Sequence, residues 1–221
     1  MDTTRVTRPV RALAVIVGTV MALLTCGPAG VAQAAPAATA GDVISIGHPG
    51  APGQIDLYVD PLCPFSGKMI REQGAEIGRR IENGSLHVNL RFVNFLEGLS
   101  ASGTYDSRAI YAAFAVAGYS RSSEVTWRFV EQIFSAEQQP KERGPSDLTN
   151  DQLAGLADRA GAPRLAQDLI RLGLFVGYDP IAIANGNRAA LRQFPDRGVP
   201  TVVLGGQPFD GNSNWLSRVS D

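Results

Sequence analysis

Cysteine and histidine are the scarce side chains in this chain: two of each in 221 residues. His48 and His87 stand far apart, with no cysteine or acid pair beside them at ligand spacing, so a metal site is not expected. No cofactor is expected either. With only Cys26 and Cys63 available, at most one internal disulfide could form, and stability has to come from packing. Charge of one sign is also missing, since 20 basic residues face 21 acidic ones. Without a basic stripe or a patch interleaved with aromatics, nucleic acid and anionic membrane surfaces are poor partners. The apolar run Ala12 to Leu24 is too short to span a bilayer, and no later run is longer, so no transmembrane span is expected.

What is present begins with an address. Arg5, Arg8 and Arg11 precede that apolar run, and Ala32-Gln33-Ala34 follows it as a small-residue cleavage site. Residues 1–34 therefore read as a secretory signal, which predicts export to a secreted or cell-envelope location. Cys26 lies in Leu23-Leu24-Thr25-Cys26-Gly27, a loose match to a bacterial lipobox with Thr25 at a position that prefers Gly or Ala. Lipid anchoring through Cys26 is the alternative to cleavage near Ala34. After cleavage Cys63 is the sole thiol, and loss of Arg5, Arg8, Arg11 and Asp2 leaves 17 basic and 20 acidic residues.

The remaining chain is long enough for one folded unit. Residues 35–53, rich in Ala, Gly and Pro, read as a flexible lead-in. Ile55, Leu57 and Val59 alternate with Asp56 and Tyr58, predicting a strand over 54–60 that Pro61 ends. From Pro64 a helical period runs through Ile70, Gly74, Ile77 and Ile81 to Asn83-Gly84, with Gly74 and Gly78 expected to allow close contact with a sheet. Leu86, Val88, Leu90 and Phe92 share one parity and predict a second strand, parallel to the first across a helical crossover. Residues 100–192 change to helical periods. Ile110, Ala113, Phe114 and Ala117 form one amphipathic stripe, and Phe129, Val130, Ile133 and Phe134 another. Thr149 and Gln152 form a capping box, Pro163 opens a helix with the stripe Leu165, Leu169 and Leu172, and Asp179-Pro180 opens the last. Strands return after Arg197-Gly198, with Thr201–Leu204, a Gly205-Gly206 turn and Gln207–Phe209 as a hairpin, then a short closing helix.

Cys63 falls where the first strand gives way to the first helix. A thiol there meets unpaired backbone N–H groups and the positive end of the helix dipole, which predicts a lowered pKa and a good nucleophile. Three positions on, where a second thiol would complete a Cys-x-x-Cys motif, stands Ser66.

Asp60-x-x-Cys63-Pro64-x-Ser66, Gly198-Val199-Pro200-Thr201 and Leu148-Thr149-x-x-Gln152-Leu153, in this order, resemble the DsbA-like branch of the thioredoxin fold over roughly 54–211. The resemblance implies an α/β fold with a thioredoxin-like core, 54–99 and 193–221, interrupted by an all-helical insertion, 100–192. It also implies a cis Val199–Pro200 bond beside the active thiol. Cys63, Pro64, Ser66 and Pro200 take the catalytic positions, and Phe65, Val199 and Thr201 the substrate-binding ones. Partners would be extended segments of exported proteins or small-molecule disulfides, with an external thiol as reductant. Two positions depart from the family: Ser66 replaces the resolving cysteine, and Leu57 stands where many members carry a buried acid.

Two functions fit. One is a monothiol thiol-disulfide oxidoreductase acting through Cys63; the other is a noncatalytic binding or assembly protein of the cell envelope with a vestigial site. A one-cysteine peroxidase is a minor third reading, since no Arg-Thr peroxide pocket is visible. Ser66 either donates to the Cys63 thiolate or accepts from a first-turn amide, and Phe65 either meets substrate or packs inward. Trp127 and Trp215 read as packing residues.

Overall fold

The computed structural model describes residues 1–2, 37–195 and 198–219. The expected export signal, Cys26 and Arg197 therefore lie outside the described residues, and the architecture is that of the unit Ala32–Asp221.

The sheet is built outward from β3, Gly53–Val59, whose Ile55, Leu57 and Val59 are buried. β4, Leu86–Phe92, lies parallel to β3, in register from Gly53 opposite Leu86 to Val59 opposite Phe92. Parallel neighbours need a crossover, and α1, Pro64–Glu82, supplies it. On the other side of β3, β5, Thr201–Leu204, runs antiparallel. It turns through Gly205 and Gly206, both at positive φ, into β6, Gln207–Asp210. Positive φ at both central residues matches the twist of a two-residue hairpin and favours glycine at each place.

The lead-in departs from expectation. Instead of a tether it forms β1, Ala38–Ala40, and β2, Val43–Ile46, which pair with each other, and β2 adds to the outer side of β4. Ile44 and Ile46 are fully buried. Two apolar residues among Ala, Gly and Pro carry little periodicity; the free edge of β4 is what orders them. The final strand order is β1-β2-β4-β3-β5-β6.

Between β4 and β5 come α2, Tyr105–Ser120; α3, Ser123–Ile133; α4, Asn150–Ala160; α5, Arg164–Leu172; and α6, Pro180–Leu191. α2 is not amphipathic. Of its residues from Tyr105 to Ala117 all but Arg108 are buried, because α3, α4, α5 and α6 all pack against it. On α5 the expected stripe is also corrected: Leu165 and Leu172 are exposed, and Ala166, Gln167 and Ile170 face inward. The Thr149–Gln152 capping box is formed, and Asp179 caps α6 by accepting from the Ile181 and Ala182 amides. Gly78 of α1 does allow close contact, but with α3: a Cβ there would stand 2.9 Å from Trp127 Cδ1, whose Nε1 donates to Gly74 O at 2.9 Å. Trp215, fully buried, sits in a closing 3-10 turn, Trp215–Arg218. Among the described residues no helix is long and apolar enough to cross a membrane.

Candidate active site at the Cys63 junction

β3 ends at Val59 because Pro61 cannot continue the ladder, and the chain then turns through Asp60-Pro61-Leu62 into α1. The turn is held at three points. Cys63 N–H donates to Asp60 O at 3.1 Å, Leu62 N–H to Asp60 Oδ1 at 2.9 Å, and Asp60 N–H to Ser66 Oγ at 3.3 Å. Cys63 is the N-cap of α1 and Pro64 opens the first turn, where its missing N–H leaves nothing unsatisfied.

The expectation of an acidified thiol is corrected. Cys63 is only 5% exposed, and burial pushes its pKa up. The Ser66 and Phe65 amides and the Ser66 hydroxyl pull the other way without reversing it, and the charge of Asp60 adds to the rise. Helix-terminus stabilisation is present as predicted; desolvation of the thiolate outweighs it. The Sγ also lies 3.6 Å from Val199 O, to which the protonated thiol can donate. Ser66, fully buried, takes the Asp60 amide from the preceding turn as well as facing the thiol, so its backbone partner lies in the strand-to-helix turn.

The second half of the site comes from the far end of the chain. The Val199–Pro200 peptide is cis, Pro200 is buried, and Thr201 Oγ1 donates to Gly198 O at 2.7 Å, closing the loop before β5. This brings Cys63, Pro64, Ser66, Val199, Pro200 and Thr201 into one neighbourhood across 136 positions of sequence. Phe65 is 64% exposed and resolves the choice between substrate contact and inward packing in favour of the surface. It borders a groove of about 590 Å³ lined also by Lys68, Val199, Pro200, Phe209 and Asn212. On its other side it borders a second groove, of about 650 Å³, with Leu62, Arg71, Gln139 and Lys141. Cys63 does not line the first groove; its Sγ is joined to it through the carbonyl of Val199. His87 is remote, its ring held between Gly47 O and Asn89 Oδ1 at 3.2 Å each.

Sequence reasoning missed three participants. Gln139 Nε2 donates to Cys63 O at 2.9 Å and Pro61 O at 3.2 Å, while Arg71 Nη1 donates to its Oε1 at 2.9 Å. Gln139 lies in an irregular stretch with no pattern to flag it. The other two are Asp60 and Asp106, both fully buried. Leu57 leaves the family's buried-acid position without a carboxyl, yet acids are buried near the thiol, Asp60 at the turn and Asp106 from α2. Asp60 is visible in the Asp-x-x-Cys motif but has no role attached to it there. Asp106, in the first turn of a helix, reads as a surface acid facing the dipole.

Known proteins are similar to this chain in sequence and fold. The family model described as thioredoxin matches residues 39–217. Among solved structures, MdbA, a thiol-disulfide oxidoreductase from Corynebacterium matruchotii, superposes with a TM-score of 0.70 at 23% identity, over 84% of this chain and 91% of that one. The reduced form of DsbA from Mycobacterium tuberculosis gives 0.62 at 28% identity, over 77% of this chain and 85% of that one. Among curated proteins, the serine/threonine-protein kinase PknE of M. tuberculosis is 31% identical over 179 residues, 80% of this chain. The chain spans about a third of the length of that kinase.

Proposed function

The chain belongs to the thioredoxin family and has the fold of DsbA-type thiol-disulfide oxidoreductases, and from that premise we propose that it exchanges disulfides through Cys63 as its single nucleophile. The observation that carries this is the Cys63 Sγ resting against the carbonyl of Val199, which with Pro200 lines an open groove. An extended segment entering the groove finds backbone groups at Val199, the outer edge of β6, and an apolar contact at Phe65. The Cys63 thiolate then attacks one sulfur of a substrate disulfide; a Cys63 mixed disulfide forms and the other sulfur leaves as thiolate. With Ser66 in the third position, an external thiol attacks the mixed disulfide and returns Cys63 as thiolate. Substrates on this reading are extended segments of exported proteins or small-molecule disulfides. Residues 1–34 direct the chain out of the cytoplasm, where such disulfides persist.

A second reading has its own observation. A thiol 5% exposed with a raised pKa is a slow nucleophile, which suits a protein that holds extended segments in the groove without chemistry. One experiment separates them: the reduced protein is mixed with a disulfide-bearing peptide, quenched in acid and mapped by mass spectrometry, and peptide binding to Cys63→Ser is measured alongside. An adduct at Cys63 supports exchange. No adduct, with binding retained in Cys63→Ser, leaves the binding module.

A further inference from the structure

Beneath the Cys63 turn the structure buries two carboxyl groups, and among the described residues no cation is paired with either. Asp60 has both oxygens engaged, Oδ1 by Leu62 N–H at 2.9 Å and Oδ2 by Leu96 N–H at 3.1 Å. Asp106, equally buried, has no hydrogen bond of normal geometry on either oxygen, with only the Leu62 N–H and the Asp60 carboxyl within reach. What it faces is the Asp60 carboxyl and, further out, Glu97. Two carboxyl groups set against each other away from water cannot both be ionised, and the simplest way to satisfy the bare Asp106 oxygens is one proton held between the pair.

We propose that Asp60 and Asp106 are positioning residues that share a single proton, and that the charge left on the pair sets how readily Cys63 ionises. Asp60 is the link. Its carboxylate accepts from the turn that carries Cys63 into α1, so it occupies the same field of N–H dipoles that would stabilise a Cys63 thiolate. Two anions at one helix terminus oppose each other; the charge on Asp60 adds to the burial that keeps the thiol protonated, and removing it eases formation of the thiolate. Burial, first, and then the charges of Asp60 and Glu97 push Asp106 up, with Leu62 N–H only partly opposing, which keeps the shared proton on through neutral pH. Burial pushes Asp60 up as well, against the amides around it.

Among the described residues, the other groups facing the pair do not supply a counter-charge. Glu97, in the 3-10 turn after β4, accepts from Ser107 N–H at 3.0 Å and Asn94 Nδ2 at 2.7 Å. Tyr105, beside Asp106 on α2, is fully buried with its hydroxyl unpartnered. Arg108, one turn along, is spent on Asp147 at 2.7 Å, and both act on Tyr105 more directly than on the pair. Cys63 itself completes the set.

The proposal concerns the ionisation of Cys63 and stands whether or not the thiol turns over substrate; only its value to turnover rests on the exchange reading. Its test is therefore alkylation, not exchange. The rate of Cys63 alkylation against pH is compared for the wild type, Asp60→Asn and Asp106→Asn, and the side-chain carboxyl carbons of the wild type are titrated by NMR. In Asp60→Asn the lone buried Asp106 stays protonated, the site is neutral, and alkylation at pH 7 rises roughly tenfold, the effect of about one pKa unit. In Asp106→Asn the new amide donates to an ionised Asp60, the charge stays, and the rate at pH 7 stays within about twofold of the wild type, well below a one-unit change. A general loosening of the fold would raise both. The NMR titration shows one carboxyl protonated at neutral pH. Equal rates in all three proteins, or two carboxyls titrating separately near ordinary aspartate values, overturn the proposal; should Asp60→Asn fail to fold, the wild-type titration decides alone.

Discussion

Gly67 and Gln139 offer the sharpest energetic test of how the Cys63 turn is held. A Cβ on Gly67 would stand 1.9 Å from Gln139 Oε1 and 2.6 Å from Arg71 Nη1, so Gly67→Ala cannot coexist with Gln139 in its present place. Displacing Gln139 costs its bonds to Cys63 O and Pro61 O. At about 0.5–1.5 kcal/mol each, the loss is about 1–3 kcal/mol. The Arg71 contact is exposed and adds little. Gln139→Ala loses the same two bonds, so it is expected to cost a similar amount, a fall in Tm of about 2–4 °C for each kcal/mol in a chain of this size. In that background the Gln139 obstacle at Gly67 is gone, and Arg71 Nη1, the tip of a flexible side chain at 2.6 Å, is what still has to shift. Gly67→Ala then shows mainly the helix preference of alanine over glycine and stabilises by up to about 1 kcal/mol. The effect of one substitution thus depends on the identity of residue 139, a coupling of about 1–3 kcal/mol, the worth of the two Gln139 bonds, that a double-mutant cycle in urea measures directly. If Gly67→Ala has the same effect with and without Gln139, the clamp as described does not operate.

The same geometry sets other outcomes. Asp106 has a raised pKa in the folded state, so above about pH 4 the native protein binds the proton more tightly than the unfolded chain, and the stability this contributes is lost as pH rises through the folded value. Asp106→Asn removes that dependence, and its stability relative to wild type in urea should improve steadily from pH 4 to pH 8; a constant difference would count against a protonated Asp106. Phe65→Ser, on a side chain 64% exposed, should change stability by no more than about 0.5 kcal/mol. The same change should weaken capture of an extended apolar peptide roughly fivefold, the loss of about 1 kcal/mol of contact. Unchanged peptide affinity by calorimetry would move the binding surface away from the groove.

The sheet centre, its crossover helix and the returning hairpin were legible because period-2 runs, Pro64, Pro61 and the Gly205-Gly206 turn each impose a local geometry. β1 and β2 were not, since their order comes from pairing with β4. The α5 face was misread for a related reason: Leu165 and Leu172 fit a helical stripe as well as Ala166 and Ile170 do, and only the partner helices choose between them. At the site, the two distant motifs did identify residues that meet, the Cys63 thiol with the carbonyl of Val199, which precedes the cis Pro200. The ionisation of Cys63 came out with the opposite sign. A dipole can be read from position in a helix, whereas burial and the charge of Asp60 depend on segments 36 and more residues away that fold over the turn.

The central claim is that Cys63 forms a mixed disulfide it cannot resolve alone. Its most direct test is to load Cys63 with a peptide thiol, remove free thiol, and measure peptide release over time for the wild type and for Ser66→Cys. The wild-type adduct is expected to persist until external thiol is added, while Ser66→Cys releases the peptide unaided. Failure of Cys63 to take the peptide, or wild-type release as fast as that of Ser66→Cys, would contradict it.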